Sequence, residues 1–405
     1  MRTLLATLLT APAALATAAA QDLAVRGELV HTMAGEPLRQ GVVLVRGGKI
    51  AAVGPASEVE IPDGMRVLEA AVVTPGLIDA HSVVGLAGYL NYEHDSDQVE
   101  TSAPLQPELR ALDAYNPREP LIAYLREYGV TTLHTGHAPA AVVSGQTMVV
   151  KTRGETVDEA VLVPLAMIAS TLGDAASGAG EEYGASSRAV AALRQALVDA
   201  RAHAAKCERA EAEGKTPPDR NLRHEAFGEV LARRVPLLVT AQRATDILAA
   251  LRLAREFELS LVLDGAAEVY DVLEQVKAAG VPVILHPTMQ FGAGERANLS
   301  METAAKLDGA GILFALQGGY EEYVPKTRVV LFEAAMAAAY GLPVRRALAA
   351  ITIDAARILG LDDRIGSLEV GKDGDLALYD DDPFEFTSHC IGVVIGGRVV
   401  SETKR

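Results

Sequence analysis

The chain has 405 residues, of which 49% are hydrophobic, so it is long enough to bury one large core and a smaller one. Its formal net charge of -16 at pH 7 repels nucleic acid and anionic lipid surfaces at long range. Aromatic residues make up only 4% of the chain and Trp is absent, so aliphatic side chains must supply the packing. The composition indicates a globular protein and argues against nucleic acid as a partner.

The first twenty residues have the pattern of a secretory signal peptide. Arg2 gives a short positive start, residues 4–19 are apolar apart from threonines, and Ala18 and Ala20 stand at −3 and −1 of a small-residue cleavage site. A buried N-terminal helix is the alternative, but charge, apolar length and cleavage site together favour the signal peptide. No later stretch reaches the roughly 18 apolar residues that span a bilayer. We expect cleavage after Ala20 and export to the periplasm or the cell exterior, without a membrane span.

The two cysteines do not predict a disulfide framework. Cys207 lies in a charged, helical stretch and Cys390 lies near the last strands, so a bridge between them is possible but has no support in the sequence. Neither has a partner that suggests a cysteine-ligated zinc. We assign no role to the histidines of the end segments and helices, His31, His203, His224 and His389.

Both ends of the chain have the sequence pattern of short β-strands. Residues 22–73 alternate β-branched and polar side chains, with a hairpin signal at Gly47-Gly48. Residues 365–403 have the same alternating pattern, with a hairpin signal at Gly396-Gly397. Since neither end is a full domain by itself, we predict one small β-sandwich from residues 21–73 and 361–405.

The middle of the chain, residues 74–360, alternates short apolar runs with amphipathic helical segments. The runs are VTTLHTG (130–136), VPLLVTA (235–241), LSLVLDG (259–265), VPVILHP (281–287) and GILFALQGG (311–319). This rhythm and length predict a (β/α)8 TIM barrel, an α/β fold. A doubly wound open sheet is the rival, but no G-x-G-x-x-G follows the first strand. A helical insertion at 174–230 interrupts the rhythm, at a position where such a barrel carries substrate-facing elements.

Three motifs, in this order along the chain, resemble those of the metal-dependent amidohydrolase superfamily. They are VVTPGLIDAH (72–81), ALAAITIDAARILGL (347–361) and RIGSLEVGKDGDLALYDDDP (364–383). The likeness covers almost the whole chain after residue 20 and is strongest to the secreted imidazolonepropionase-like branch. It implies a TIM barrel with a β-sandwich from both termini, and hydrolysis of amide or cyclic-amide C–N bonds other than peptide bonds.

The resemblance also implies a zinc cofactor and a ligand set. In the family, imidazoles and a carboxylate at the carboxyl ends of barrel strands hold a divalent metal that activates water. His81 stands at the first ligand position. The remaining positions carry Val83, Thr240, Gln242, Asp264 and, where the catalytic Asp is expected, Gln317 followed by Gly318 and Gly319. His81 is therefore the one matching metal ligand, and the sequence predicts weak or absent metal binding.

Asp264 is an unusual residue for the end of a barrel strand, because a buried unpaired carboxylate is costly. It must meet a cation or receive hydrogen bonds, and Lys151 is a candidate for that cation. Asp264 and Lys151 are accordingly the candidate catalytic residues. A surface position for Lys151 is an equal alternative.

Other polar residues near predicted strand ends could form a relocated metal site. His134, His137 and His286 end strands, and with Asp264 they could hold zinc in a different place. No spacing among them forms a recognised ligand pair, so hydrogen bonding to loops is the alternative. Arg296 is a possible anion contact in the barrel mouth.

Three functions remain open from the sequence. The first is a metal-dependent hydrolase that works through an altered or relocated site. The second, which the lost ligands favour, is a non-catalytic module that binds a small molecule in the barrel mouth or pairs with another subunit of the same or a different kind. The third is a structural partner of an active relative.

Overall fold

A computed structural model describes residues 21–403, except 90–91, 93, 95, 175, 177–185, 291 and 321–328. The predicted signal peptide, residues 1–20, lies outside the described residues.

Four strands open the described chain and belong to the smaller layer. They are β1 (Leu23–Val30), β2 (Leu38–Arg46), β3 (Lys49–Pro55) and β4 (Arg66–Pro75). The predicted hairpin between β2 and β3 turns at Gly47 and Gly48, whose φ angles of 54° and 83° favour glycine.

Ten strands then follow in the barrel region. They are β5 (Leu77–Ser82), β6 (Val130–Thr135), β7 (Val143–Gln146), β8 (Met148–Lys151), β9 (Val161–Val163), β10 (Ile168–Thr171), β11 (Leu237–Ala241), β12 (Leu261–Gly265), β13 (Val283–Leu285) and β14 (Phe314–Leu316). One sheet has the order β14-β13-β12-β11-β10-β7 and the other β5-β6-β8-β9. A parallel bridge between Ser82 and Gly319 joins the end of β5 to the segment after β14. The strands thus close into the predicted TIM barrel.

One part of the wall departs from a regular (β/α)8 barrel. The segment of β7 and β8 lies between β6 and β10 and runs antiparallel to both of these strands. The last residue of β8, Lys151, therefore pairs with Thr132 near the start of β6, away from the carboxyl ends of the parallel strands.

Eleven helices in the described residues surround the barrel or extend from it. They are α1 (Ala111–Ala114), α2 (Pro120–Arg126), α3 (Val157–Ala160), α4 (Ser186–Ala212), α5 (Leu222–Leu231), α6 (Ala244–Phe257), α7 (Leu273–Ala279), α8 (Thr303–Ala310), α9 (Val330–Ala339), α10 (Val344–Ala350) and α11 (Ile353–Ile358). Within the described part of the chain, no helix is long and apolar enough to cross a membrane.

Three strands, β15 (Leu376–Tyr379), β16 (Cys390–Ile395) and β17 (Arg398–Glu402), return the chain to the smaller layer. β15 pairs antiparallel with β4, so that strands from both ends share one seven-stranded sheet of order β17-β16-β15-β4-β1-β2-β3. Its buried aliphatic side chains, Val25, Val43 and Val73 among them, form a core separate from the barrel's main one.

The predicted insertion contains the two helices α4 and α5. In α4 the buried side chains Ala189, Leu193, Leu197 and Ala200 recur every three or four residues and so form one apolar face. Asn221 caps the start of α5 by accepting hydrogen bonds from the backbone N–H groups of Arg223 and His224.

Candidate functional site

The first barrel strand places two titratable side chains at the carboxyl end of the barrel. Asp79 and His81 are two residues apart on β5, so they lie on the same side of the strand, and both are buried. The Nδ1 of His81 lies 2.8 Å from Oδ1 of Asp264, which is on β12. A candidate site therefore joins strands on opposite sides of the barrel.

Asp264 is the centre of this network. Its Oδ1 also accepts a hydrogen bond of 3.0 Å from Nε2 of Gln317, which follows β14. Its Oδ2 accepts one of 2.6 Å from the hydroxyl of Thr240 on β11. Both oxygens of the buried carboxylate are thus satisfied by protein groups, as a buried charge requires.

His81 and Asp264 form an ion pair. Burial alone would lower the pKa of His81, but the charge and hydrogen bond of Asp264 outweigh it and raise that pKa above its usual value. Burial would raise the pKa of Asp264, but the charge of His81 and the three hydrogen bonds hold it below its usual value. The expected cation for Asp264 is therefore the imidazolium of His81.

Asp79 is in a different electrostatic state. Burial raises the pKa of this carboxyl from its usual 3.8 to about 7, against the opposing hydrogen bonds from two backbone N–H groups. Those donors are Gly318, at 2.9 Å, and His81, at 3.3 Å, both to Oδ1. The nearby carboxylate of Glu333 contributes to the upward shift. With a pKa raised to about 7, the Asp79 carboxyl is largely neutral below neutral pH.

His134 lies beside this pair, and both of its ring nitrogens are hydrogen-bonded to residues of the barrel wall. Its Nδ1 donates a hydrogen bond of 2.6 Å to the carbonyl of Ala80, and its Nε2 lies 2.7 Å from the hydroxyl of Thr147. Burial and the nearby His81 lower the pKa of His134 to about 3, so the ring is neutral. Since both nitrogens are hydrogen-bonded, His134 would have to give up a bond to bind a metal.

The other predicted site residues are not joined to Asp264 by a hydrogen bond. The Nδ1 of His286 donates to the carbonyl of Pro287, 2.7 Å away. His137 is buried beyond β6, where burial lowers its pKa. Arg296 lies in a short 3₁₀ turn after β13.

Lys151, the candidate cation for Asp264, lies in another cluster. Its Nζ makes ion pairs with Asp375, at short range, and with Asp373, at 3.2 Å. All three side chains are buried where the barrel meets the seven-stranded sheet. The prediction that pairs Lys151 with Asp264 is therefore wrong, because β8 runs antiparallel and directs its end away from the site.

Tyr320 and Gln242 cover the site on its outer side. The Tyr320 ring centre lies 5.3 Å from that of His81, and its hydroxyl accepts a hydrogen bond of 3.1 Å from Nε2 of Gln242. Tyr320 also packs on an apolar cluster formed by Val83, Ala87 and Ala138. Val83, at the second expected ligand position, thus contributes to a hydrophobic cover.

Sequence reasoning missed Asp79, Tyr320 and Glu333. Asp79 could have been found, because it precedes His81 by two residues on the same strand and so shares its face. Tyr320 and Glu333 lie in segments after β14, and no local pattern connects either one with His81.

The donor set does not fit the zinc ion that the resemblance implies. A tight zinc site needs three or more converging protein ligands, and His81 is the only histidine present from the expected set. In the parts of the chain that the structure describes, no three His, Cys, Asp or Glu side chains stand in an arrangement that could hold a metal ion.

Comparison with known proteins identifies the class of fold and then the family. A family model described as "Amidohydrolase family" matches residues 327–401. A solved amidohydrolase from Thermotoga maritima MSB8 is 31% identical, covers 94% of this chain and 100% of its own, and superimposes with a TM-score of 0.89. A zinc-bound adenosine deaminase from Xanthomonas campestris shares the fold, at 17% identity and a TM-score of 0.58.

Two curated relatives agree. An imidazolonepropionase from Sphingopyxis alaskensis is 27% identical over 87% of this chain and 91% of its own length. Amidohydrolase tasK from Hapsidospora irregularis is 27% identical over 92% of this chain. The matched region spans only 42% of the length of that relative. This chain belongs to the amidohydrolase superfamily.

Proposed function

We propose that this amidohydrolase-superfamily protein does not perform metal-activated hydrolysis, and that its barrel serves as a module that binds a small molecule or pairs with another subunit. The observation that carries the proposal is the arrangement around Asp264. His81 and Gln317 donate to one oxygen and Thr240 to the other, so protein groups supply the positive charge and hydrogen bonds that a metal would supply in the family.

The electrostatics support the same conclusion. Zn²⁺ could approach only the Nε2 of His81, because Asp264 holds Nδ1, and it would repel the imidazolium form of this ring. The structure instead stabilises the protonated form of His81, as the direction of its pKa shift indicates. An imidazolium at His81 and a zinc ion on its Nε2 are therefore alternatives, whereas the contact between Nδ1 and Asp264 is compatible with both.

Among the described residues, Tyr320 and Gln242 cover the His81–Asp264 pair, so a small molecule that binds in the barrel mouth would lie outside them. His81 and Asp264 are fully buried, and Tyr320 packs against the imidazole. Hydrolysis at this position would need displacement of Tyr320 and of its hydrogen bond with Gln242.

A second candidate function rests on one atom, Nε2 of His81, which has no hydrogen-bond partner among the described residues. A histidine whose Nδ1 is held by a carboxylate can present Nε2 as a general acid or base. A metal-free hydrolase of C–N bonds would use His81 in this way, with Asp264 as a positioning residue.

Elemental analysis and hydrolysis assays test the proposal together. We expect that zinc bound by zinc-treated protein is the same in the wild type and in His81→Ala, and that no hydrolysis of N-acyl amino acids or cyclic amides depends on His81. One equivalent of zinc that is lost in His81→Ala would contradict the proposal. Chelator-resistant hydrolysis that is lost in His81→Asn but kept in a surface control, His389→Asn, would establish the second candidate.

We also propose that the protein is exported after cleavage behind Ala20, which rests on the residue pattern of 1–20. N-terminal sequencing of protein recovered outside the cytoplasm should begin at Gln21, and a mature protein that retains Met1 would contradict this.

A further inference from the structure

The helical insertion brings together three metal-ligating side chains far from the barrel site. His203 and Cys207 are one turn apart on α4, so they lie on the same face, and His224 faces them from the first turn of α5. The sequence alone gave Cys207 no partner. In the structure its partner is His203.

Two distances, one between Cys207 and His203 and one between the two histidine rings, are of the size found in a tetrahedral metal site. Sγ of Cys207 lies 3.6 Å from Nε2 of His203. A tetrahedral zinc with about 2.1 Å to nitrogen and about 2.3 Å to sulfur separates two such ligand atoms by roughly 3.6 Å. The ring centres of His203 and His224 are 4.7 Å apart, and two imidazoles on one tetrahedral ion have centres roughly 5 Å apart.

His224 has a ring nitrogen that is free to bind a metal ion. Its Nδ1 is buried and has no hydrogen-bond partner among the described residues. As they stand in the structure, the three side chains are not positioned to hold a metal ion. The proposal requires the rings of His203 and His224 to turn towards a common point, and both rings are only partly buried.

The surroundings favour a cation. The three side chains line an open groove of about 600 Å³ between α4 and α5. Each arginine that lines this groove is paired with a glutamate; the pairs are Arg220–Glu225 and Arg234–Glu229. Two further glutamates, Glu208 and Glu211, line the same groove, so its net charge is negative.

We propose that His203, Cys207 and His224 form a surface site for a thiophilic transition-metal ion, with Zn²⁺ as the probe ion. A thiolate with two neutral imidazoles suits Zn²⁺ and excludes Mg²⁺ and Ca²⁺, which take oxygen ligands. The fourth coordination position faces the open groove and is accessible to water or to a ligand from another molecule. Binding would fix α4 and α5 relative to each other.

Calorimetric titration of the reduced, full-length protein with Zn²⁺ tests this site. We expect one saturable equivalent, which Mg²⁺ does not compete for. Loss of an outer-shell partner already weakens metal binding about ten- to a hundred-fold. Loss of a ligand in His203→Gln, Cys207→Ser or His224→Gln should therefore weaken it at least about ten-fold. The matched control Cys390→Ser, which changes the other cysteine, should bind as the wild type does.

Cobalt spectroscopy gives a second measurement that does not depend on affinity. Co²⁺ bound at this site should show a thiolate-to-cobalt charge-transfer band that is absent in Cys207→Ser, while circular dichroism confirms that the variant is folded. No saturable zinc binding, or binding and a cobalt band that survive in Cys207→Ser, would overturn the site. Zinc lost in His81→Ala contradicts the proposed function, whereas zinc lost in Cys207→Ser supports this inference, so the two failures are distinguishable.

Discussion

Replacement of Asp79 by Asn tests whether this buried carboxyl is held in its neutral form. Asn has nearly the same shape as a protonated Asp, and its Oδ1 can accept the same hydrogen bonds from the N–H groups of Gly318 and His81. The substitution therefore removes the ability to ionise and preserves the contacts.

The magnitude follows from the pKa of Asp79, which burial raises from 3.8 to about 7 in the folded protein. A folded-state pKa above the unfolded value means that the stabilisation is fully present below about pH 4 and is lost as pH rises through about 7. A shift of roughly three units at about 1.4 kcal/mol each corresponds to about 4 kcal/mol at pH 8.

Urea unfolding of the wild type and Asp79→Asn at pH 5, 6, 7 and 8 measures this difference. We expect the free energy of unfolding of Asp79→Asn to rise relative to the wild type across this range, by roughly 2–3 kcal/mol in total, since part of the effect lies below pH 5. Asp63→Asn is the control, because Asp63 is exposed and surface changes stay within about 0.5 kcal/mol. A difference between Asp79→Asn and the wild type that is the same at pH 5 and pH 8 would refute the reasoning.

Three further substitutions test the buried network and the separate role of Lys151. Asp264→Ala leaves the imidazole of His81 buried without its partner and should cost about 3–5 kcal/mol by urea unfolding; a cost below 1 kcal/mol would mean that the pair is not formed. Thr240→Val removes one hydrogen bond to a charged group and should cost about 1.5–3 kcal/mol; an unchanged free energy of unfolding would mean that the contact is not made. Lys151→Met should also destabilise the fold by about 3–5 kcal/mol, because it leaves the buried carboxylate of Asp375 without its ion-pair partner, and it should leave the NMR pKa of His81 unchanged. A shift in that pKa would place Lys151 in the barrel site after all.

Much of the fold could be predicted because its signals are local. Short aliphatic runs with helical segments between them indicate parallel strands, and the glycine pair at 47–48 marks a hairpin that the structure contains. The antiparallel direction of β7 and β8 could not be predicted, since the sequences VSGQ and MVVK are equally compatible with parallel and antiparallel pairing.

The candidate site was predictable only in part. The need of Asp264 for a cation follows from the cost of burying a charge, but the identity of that cation depends on how strands far apart in sequence meet across the barrel. His81 and Asp264 are 183 residues apart, and Cys207 and His224 line one groove only because a loop folds α5 back on α4. Such pairings are set by tertiary packing and have no local sequence signal.

The central claim is that an imidazolium–carboxylate pair replaces the metal centre, and NMR of ¹⁵N-labelled histidine side chains tests it most directly. We expect a strongly hydrogen-bonded Nδ1–H signal from His81 that disappears in Asp264→Asn and is unchanged by excess Zn²⁺ in the Cys207→Ser background, which removes the proposed surface site. A His81 Nε2 resonance that moves on addition of Zn²⁺ to the shift of a metal-bound imidazole would contradict the account, even with the Nδ1–H signal retained.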